Sequence, residues 1–151
     1  MANSISTTLQ LTTGMAFNAE CGPHQLLIDT KSPLGKDSGP TPKELVVIGL
    51  AGCTAMDVAA LLKKYKQPVQ QFTVKTNVEQ ATESHPHVFK TAHIEFHIEG
   101  EVDGAKALEA VTLSQTKYCG VSAMISKTTP IHYSVFVNGS SVGEGTANFP
   151  A

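Results

Sequence analysis

The chain has 151 residues, of which 41% are hydrophobic and 16% charged, a composition typical of one soluble globular domain. Its formal net charge of −2 argues against an electrostatic surface for nucleic acid or for an anionic membrane. All eleven basic residues are lysines, which excludes any chemistry that needs a guanidinium group from this chain.

The N-terminal eight residues lack the basic and apolar regions of a secretory signal. The longest apolar run, residues 45–56, spans about 12 residues, whereas a bilayer needs about 20, so we interpret it as a buried core helix. Three cysteines without CxxC spacing indicate neither a disulfide scaffold nor a zinc finger. We therefore expect a cytoplasmic protein with no membrane span, no nucleic-acid partner, no metal and no cofactor.

The first third of the chain predicts three short strands, over residues 6–11, 15–21 and 24–29. A loop rich in Ser, Pro, Gly and Asp follows over residues 31–42. Thr41 as N-cap, Pro42 at the first helical position and Glu44 three residues after the cap form a capping box. We expect this helix to run to about Lys66. Its middle, residues 46–55, is apolar on nearly every side, which predicts a helix enclosed by protein.

The remainder alternates between strand and helix patterns. Period-two alternation predicts a hairpin of strands over 71–83 and 89–99, helical spacing covers 105–117 and 119–127, and a last strand covers 130–138. The Gly- and Ser-rich tail from about residue 139 is expected to fray. This order predicts an α+β fold with mostly antiparallel sheets, in a single domain spanning residues 1–151.

Two cysteines lie in distinctive apolar segments. Cys53 belongs to GPTPKELVVIGLAGCTAMD (39–57) and Cys119 to LSQTKYCGVSAM (113–124). Core packing is the ordinary role of a free cysteine. However, Gly52 and Gly120 flank the two cysteines, and the missing side chains leave space beside each sulfur. A redox pair is equally compatible with two distant thiols in a reducing compartment, so both interpretations stay open.

These two segments, with strand-rich sequence around them, resemble the OsmC/Ohr family over about residues 6–138. The resemblance implies an OsmC-like fold in an intertwined homodimer, with long helices paired at the centre, sheets around them and two active sites at the subunit interface. It also implies that Cys53 attacks an organic hydroperoxide and becomes a sulfenic acid, which Cys119 resolves as a disulfide. An external dithiol would reopen that disulfide, and Cys21 would stay free. The implied function is a thiol-dependent peroxidase in the oxidative stress response.

The chain departs from this family pattern around Cys53. Peroxidase members hold the thiolate with an arginine, which this chain lacks, and Lys43 occupies the position of their matching carboxylate, with Glu44 beside it. Both lie about 15 Å along the helix from Cys53, so either could act only across a dimer interface. Asp57 shares a helix face with Cys53, where an ionised carboxylate opposes thiolate formation. These departures favour a second hypothesis: a non-enzymatic OsmC-like dimer that binds a small apolar ligand or serves in the stress response.

The histidines give weaker signals. His85 and His87 lie on a predicted hairpin turn, where they could share a metal ion only with a third ligand, and a solvated turn is the more common arrangement. His93 and His97 share one face of a strand but lie about 13 Å apart, too far for joint ligation. The sequence suggests no role for the cysteine and histidines that remain: Cys21, His24 and His132.

Overall fold

The structure is a computed structural model that describes residues 3–151, and the chain divides into two compact units between residues 46 and 47. The first unit is a three-stranded antiparallel sheet in sequence order, made of β1 (Thr7–Leu11), β2 (Phe17–Cys21) and β3 (His24–Ile28). Gly22, at φ 58°, takes the left-handed conformation in the tight turn between β2 and β3. The three predicted strands are confirmed, and their bounds differ from prediction by at most two residues.

Asp29 organises the loop that follows β3. Its carboxylate accepts hydrogen bonds from the backbone N–H groups of Thr30 (2.8 Å), Lys36 (3.1 Å) and Ser38 (3.1 Å), and from the Ser38 hydroxyl (2.6 Å). The Ser38 hydroxyl, followed by the backbone donors, lowers the pKa of Asp29 from its ordinary 3.8 to about 2. A segment whose composition predicted only a loop is therefore fixed by a single ionised side chain.

Helix α1 (Pro42–Lys64) begins at the predicted capping box. The Thr41 N–H donates to Glu44 Oε2 (2.7 Å), and the Glu44 N–H donates to Thr41 Oγ1 (3.3 Å). Lys31 Nζ lies 3.3 Å from the other Glu44 oxygen. The helix ends two residues before the predicted end, at Lys64.

The second unit holds the rest of α1 and a four-stranded sheet. Its further elements are β4 (Val69–Gln80), β5 (Phe89–Gly100), α2 (Gly104–Leu113), a π-helical turn (Ser114–Tyr118), α3 (Gly120–Ile125), β6 (Ile131–Val137) and β7 (Ser140–Thr146). The strand order is β4-β5-β6-β7, with β5 and β6 parallel and the other pairs antiparallel. The helical segment between β5 and β6 supplies the crossover that parallel strands require. The predicted α+β class is confirmed.

One stripe of α1 builds the core of the second unit. Leu50, Thr54, Val58 and Leu62 recur every fourth residue and are buried, and the three apolar members pack with the inner face of β5 and β6. Ile48 and Met56, on other faces, are 58% and 75% exposed. The prediction that the apolar run is enclosed on all sides is therefore wrong for the single chain, because the sheet covers only one face of the helix.

By length and composition alone, α1 is long and apolar enough to cross a bilayer, and it is the one such helix among residues 3–151. The core helix of a soluble protein passes the same test, so this is weak evidence for a membrane span. The packing of its Leu50 stripe against a sheet is what a core helix shows.

The C-terminal segment is not frayed, contrary to the sequence-based expectation. Residues Ser140–Thr146 form β7, whose hairpin register pairs Val137 with Ser140. A Cβ at Gly143 would collide with the Leu108 side chain, and one at Gly145 would overlap Tyr133. The glycines that suggested fraying instead allow β7 to approach these side chains closely.

The helix predicted over residues 105–117 forms as two elements, α2 and the π-helical turn. After Leu113 the chain continues as a π-helical turn, in which the Cys119 N–H donates to the Ser114 carbonyl (2.9 Å), five residues back. Ser114 and Gln115 in this turn are fully buried. Their side chains find partners on α1, an arrangement that helical periodicity in the sequence does not reveal.

We predict that Asp29→Asn lowers the urea midpoint of unfolding at neutral pH, because an amide cannot replace the carboxylate as acceptor for all four donors. An Asp whose native pKa is depressed stabilises the fold above its unfolded pKa, and this stabilisation is lost as pH falls through the native value. The difference from wild type should therefore shrink between pH 3.8 and about 2. Urea titrations across this range measure it.

Asp37→Asn is the matched control, since Asp37 lies in the same loop, is exposed and pairs only with Lys31 among the contacts described. Asparagine also tolerates the left-handed conformation of this residue (φ 55°). A difference between Asp29→Asn and wild type that stays constant down to the lowest pH would contradict the assignment.

Candidate functional site

Cys53 lies in the middle of α1 and is half-buried. The preceding residue, Gly52, leaves open the space that a side chain would fill: a Cβ there would have no neighbour within 4 Å. Cys53 itself is partly accessible, on a helix held in place by its buried stripe.

Cys119 lies at the junction between the π-helical turn and α3, in an extended conformation (φ −72°, ψ 100°). It is fully buried. Its Sγ accepts a hydrogen bond from the Ser122 backbone N–H (3.3 Å). This hydrogen bond from the backbone of α3 thus fixes the direction of the Cys119 sulfur.

The fold brings Cys53 and Cys119 together, although they are 66 positions apart in the sequence. The two Sγ atoms and a carboxylate oxygen of Asp57 all lie within 4.8 Å of one another. Asp57 reaches this group because it lies one helical turn beyond Cys53.

A chain of hydrogen bonds holds Asp57 in place. Ser114 Oγ donates to Asp57 Oδ2 (3.0 Å), so the hydroxyl of Thr54 is the donor in its 2.8 Å contact with Ser114 Oγ. Gln115 Nε2 donates to Thr54 Oγ1 (2.8 Å). The donors run in one direction, from Gln115 through Thr54 and Ser114, and end on the carboxylate. Sequence reasoning missed these three residues, and its only signal was one threonine within an apolar run.

Cys119 is the fully buried thiol of the pair, and its burial changes its pKa. Burial raises the pKa of Cys119 from 9.0 to about 11; the hydrogen bonds of Ser122 counteract this only in part, and the neighbouring Cys53 raises it further. Cys119 is therefore held as a buried, protonated thiol beside the more accessible Cys53.

The other two accessory residues that the sequence suggested, Lys43 and Glu44, lie in the first turn of α1. Lys43 is exposed. The backbone N–H of Thr41, and then Lys31, lower the pKa of Glu44, which serves as the capping residue of the helix. Both belong to the first unit, whereas the two thiols belong to the second, so their accessory role stays a prediction.

Five of the six histidines make described ring or hydrogen-bond contacts. The rings of His85 and His87 stack at 4.2 Å, and His97 Nε2 lies 2.8 Å from Glu95 Oε2. His93 and His132, which sequence reasoning treated separately, face each other at 5.2 Å, because β5 and β6 pair in parallel with these two in register. Cys21 is exposed at the end of β2.

Within residues 3–151, Cys53, Asp57 and Cys119 form a group of three potential metal ligands with mutually close donor atoms. All three were predicted as site residues, but the only metal ligands that the sequence suggested were His85 and His87. The separation of the two cysteines in the sequence matches no metal-binding motif, so the group of three forms only in the folded chain.

The chain is similar to known proteins in sequence and in structure. The profile of the OsmC-like protein family matches residues 35–134, a range that crosses the boundary between the two units. Protein YhfA of Escherichia coli (strain K12) is 35% identical over 123 residues, which cover 80% of this chain and 89% of that protein.

Solved structures share the fold. The OsmC-like protein from Mycoplasma pneumoniae superposes with a TM-score of 0.79 at 13% identity, covering 91% of this chain and 99% of that one. An organic hydroperoxide resistance protein OsmC from Legionella pneumophila superposes with a TM-score of 0.67 at 18% identity, covering 89% and 98%. The predicted OsmC-like fold is confirmed. OsmC/Ohr proteins are soluble, which supports interpreting α1 as a core helix.

We predict that N-ethylmaleimide at neutral pH modifies Cys21 and Cys53 in the folded protein and leaves Cys119 unmodified. Cys119 is both buried and protonated, and only thiolates react quickly. Peptide mapping by mass spectrometry after timed labelling measures all three. The urea-unfolded protein is the control, in which all three should react. Labelling of Cys119 as fast as Cys21 in the folded protein would contradict the environment described for it.

Proposed function

Because the chain belongs to the OsmC-like protein family, we propose that it is a thiol-dependent peroxidase that reduces organic hydroperoxides with Cys53 and Cys119. Family membership and structural neighbours named for organic hydroperoxide resistance indicate a redox or stress-response protein. The observation that carries the proposal is the pair of thiols within 4.8 Å of each other, one half-buried and the other fully buried.

The difference between the two environments assigns the roles. A peroxide approaching from solvent can reach Cys53, which is partly accessible, but not Cys119. Cys119 stays a thiol at neutral pH because burial raises its pKa to about 11, so it is available for a second step. In this proposal Cys53 is the peroxidatic residue and Cys119 the resolving residue.

The proposed catalytic cycle has three steps. The Cys53 thiolate attacks the distal peroxide oxygen, the O–O bond breaks, and the alkoxide takes a proton and leaves as alcohol. The Cys119 sulfur then attacks the sulfenic sulfur of Cys53; hydroxide leaves and is protonated to water as the disulfide forms. An external dithiol reduces the disulfide through a mixed disulfide and becomes oxidised itself.

Asp57 would act in the second step. Its carboxylate lies within 4.8 Å of both sulfurs and is oriented by Ser114, so it can accept the thiol proton of Cys119 as the disulfide forms. Lys43 and Glu44 would contribute only across a subunit interface.

We also propose that the protein is a cytoplasmic homodimer. OsmC/Ohr proteins are generally homodimers. The exposed apolar side chains of Ile48 and Met56 lie on α1, where a second copy of the helix would cover them. A paired helix would also enclose the apolar run that one sheet leaves partly open.

One observation favours a second function, the binding of a small apolar ligand without turnover. The Asp57 carboxylate lies beside both sulfurs, and the chain offers no arginine to offset it. This function predicts no peroxide consumption above background by the wild type. The assay described next therefore separates the two functions.

We expect wild-type protein to consume cumene hydroperoxide over many turnovers with a dithiol reductant. Cys53→Ser should fall to the background rate of the dithiol, because the nucleophile is removed. Cys119→Ser should consume about one equivalent quickly and then accumulate over-oxidised Cys53. Cys21→Ser, the matched control, should behave as wild type. Wild-type turnover no faster than that of Cys53→Ser would refute the proposal.

The disulfide can be tested directly by peptide mapping after one equivalent of peroxide. A Cys53–Cys119 bridge with Cys21 free is the expected product. The bridge would close a loop of about 66 residues and destabilise the unfolded chain by roughly 4 kcal/mol in the loop-entropy account. Recovery of Cys53 as sulfinic acid with Cys119 still a thiol would show that Cys119 does not resolve the intermediate.

The dimer predicts that Ile48→Asp dissociates the protein at micromolar concentration, because a charge would be buried between the helices. Sedimentation equilibrium measures this. Val88→Asp is a matched control, since Val88 is 57% exposed, against 58% for Ile48, but lies in the β4–β5 loop. A wild-type protein that sediments as a folded monomer would contradict the dimer.

A further inference from the structure

The two thiols have a third neighbour that a disulfide pair does not need. We propose that Cys53, Asp57 and Cys119 of the reduced protein form a zinc-binding site, so that zinc binding and the disulfide are alternative states of the same pair of sulfurs. The proposal rests on the positions and donor types of these three residues, and it does not depend on peroxidase activity.

The distances suit zinc after small side-chain movements. Zinc binds thiolate sulfur at about 2.3 Å and carboxylate oxygen at about 2.0–2.2 Å, so two ligands of a tetrahedral zinc lie roughly 3.3–3.8 Å apart. The three donor atoms already lie within 4.8 Å of one another. Rotation of the side chains by about an ångström at their tips would place all three around one ion.

The donor set selects the class of metal. Two thiolates and one carboxylate favour zinc or another thiophilic ion over magnesium and calcium, which prefer oxygen alone. On binding, each thiol loses its proton to solvent as its sulfur bonds to the metal. Three protein ligands leave a fourth tetrahedral position for water.

The surrounding hydrogen bonds match those that orient metal ligands. Ser114 Oγ donates to one oxygen of Asp57 (3.0 Å), which leaves the other oxygen for an ion. The Ser122 N–H donates to Cys119 Sγ (3.3 Å), a bond that strengthens when the sulfur is a thiolate. Such outer partners fix ligand orientation in metal sites and affect metal affinity. Thr54 and Gln115 extend this support into the core.

Zinc binding would also change how the two cysteines react with peroxide. This consequence rests on the proposed function. A zinc-bound sulfur has its electron pair committed to the metal, so zinc would protect Cys53 from peroxide. If one organic hydroperoxide oxidises the two thiolates, it takes up two electrons and two protons to give alcohol and water. The disulfide forms and Zn²⁺ is released, because its two sulfur ligands are lost.

The test uses full-length protein reduced with a phosphine and freed of metal. Titration with Co²⁺ should give one equivalent per chain with thiolate-to-cobalt charge-transfer absorption, and Zn²⁺ should displace it. Competition with a chromophoric chelator measures zinc affinity. Cys53→Ser, Cys119→Ser and Asp57→Asn should each weaken zinc binding by more than about tenfold, and Ser114→Ala by roughly tenfold. Cys21→Ser should bind as wild type.

The outcomes decide whether the three residues bind zinc. The absence of charge-transfer absorption in the wild type, or its loss in the Cys21→Ser variant, would overturn the proposal. Unchanged zinc affinity of the Asp57→Asn variant would overturn the three-ligand site. Circular dichroism checks the folding of each variant. If Cys119→Ser does not fold, wild type answers the question: zinc should slow maleimide labelling of Cys53 more than that of Cys21, and equal effects would count against the site. Because no peroxide is present, failure here is distinct from failure of the peroxidase proposal.

Discussion

The one-way chain of hydrogen bonds from Gln115 through Thr54 and Ser114 to Asp57 joins α1 to the π-helical turn. The relative positions of the three candidate site residues depend on this connection between α1 and the turn. The helix carries Cys53, the turn leads directly into Cys119, and the carboxylate at the end of the chain lies beside both sulfurs. Buried polar side chains are costly without partners; here Gln115 Nε2, Thr54 and Ser114 are hydrogen-bonded, whereas Gln115 Oε1 has no described partner.

The structure places two cysteines in different environments. Cys53 keeps an open side on a helix whose outer faces are only partly covered. Cys119 is enclosed, and its pKa rises because a thiolate would lose its solvation there. The two residues are of the same type, so the difference in exposure comes from their surroundings alone.

Much of the fold could be predicted from the sequence because its signals are local. The capping box around Thr41 and the alternation in β4 and β5 each specify an element without distant residues. The errors arose where tertiary contacts override local preference. Gly143 and Gly145 suggested fraying but make room for Leu108 and Tyr133, and the facing pair His93 and His132 required a parallel register that no hairpin rule supplies. At the site, the family resemblance named Cys53 and Cys119, whereas Ser114 and Gln115 could be found only in three dimensions.

The π-helical turn makes the position of Cys119 depend on the number of residues as well as on their identity. Its closing bond spans five residues, one more than in an α-helix, so the turn contains an extra residue. An in-frame deletion of one codon between Thr116 and Tyr118 would restore α-helical spacing and rotate the following chain by about 100°. Point substitutions along this segment would leave the count intact. Natural variation here should therefore tolerate many replacements of exposed Lys117 and very few changes of length.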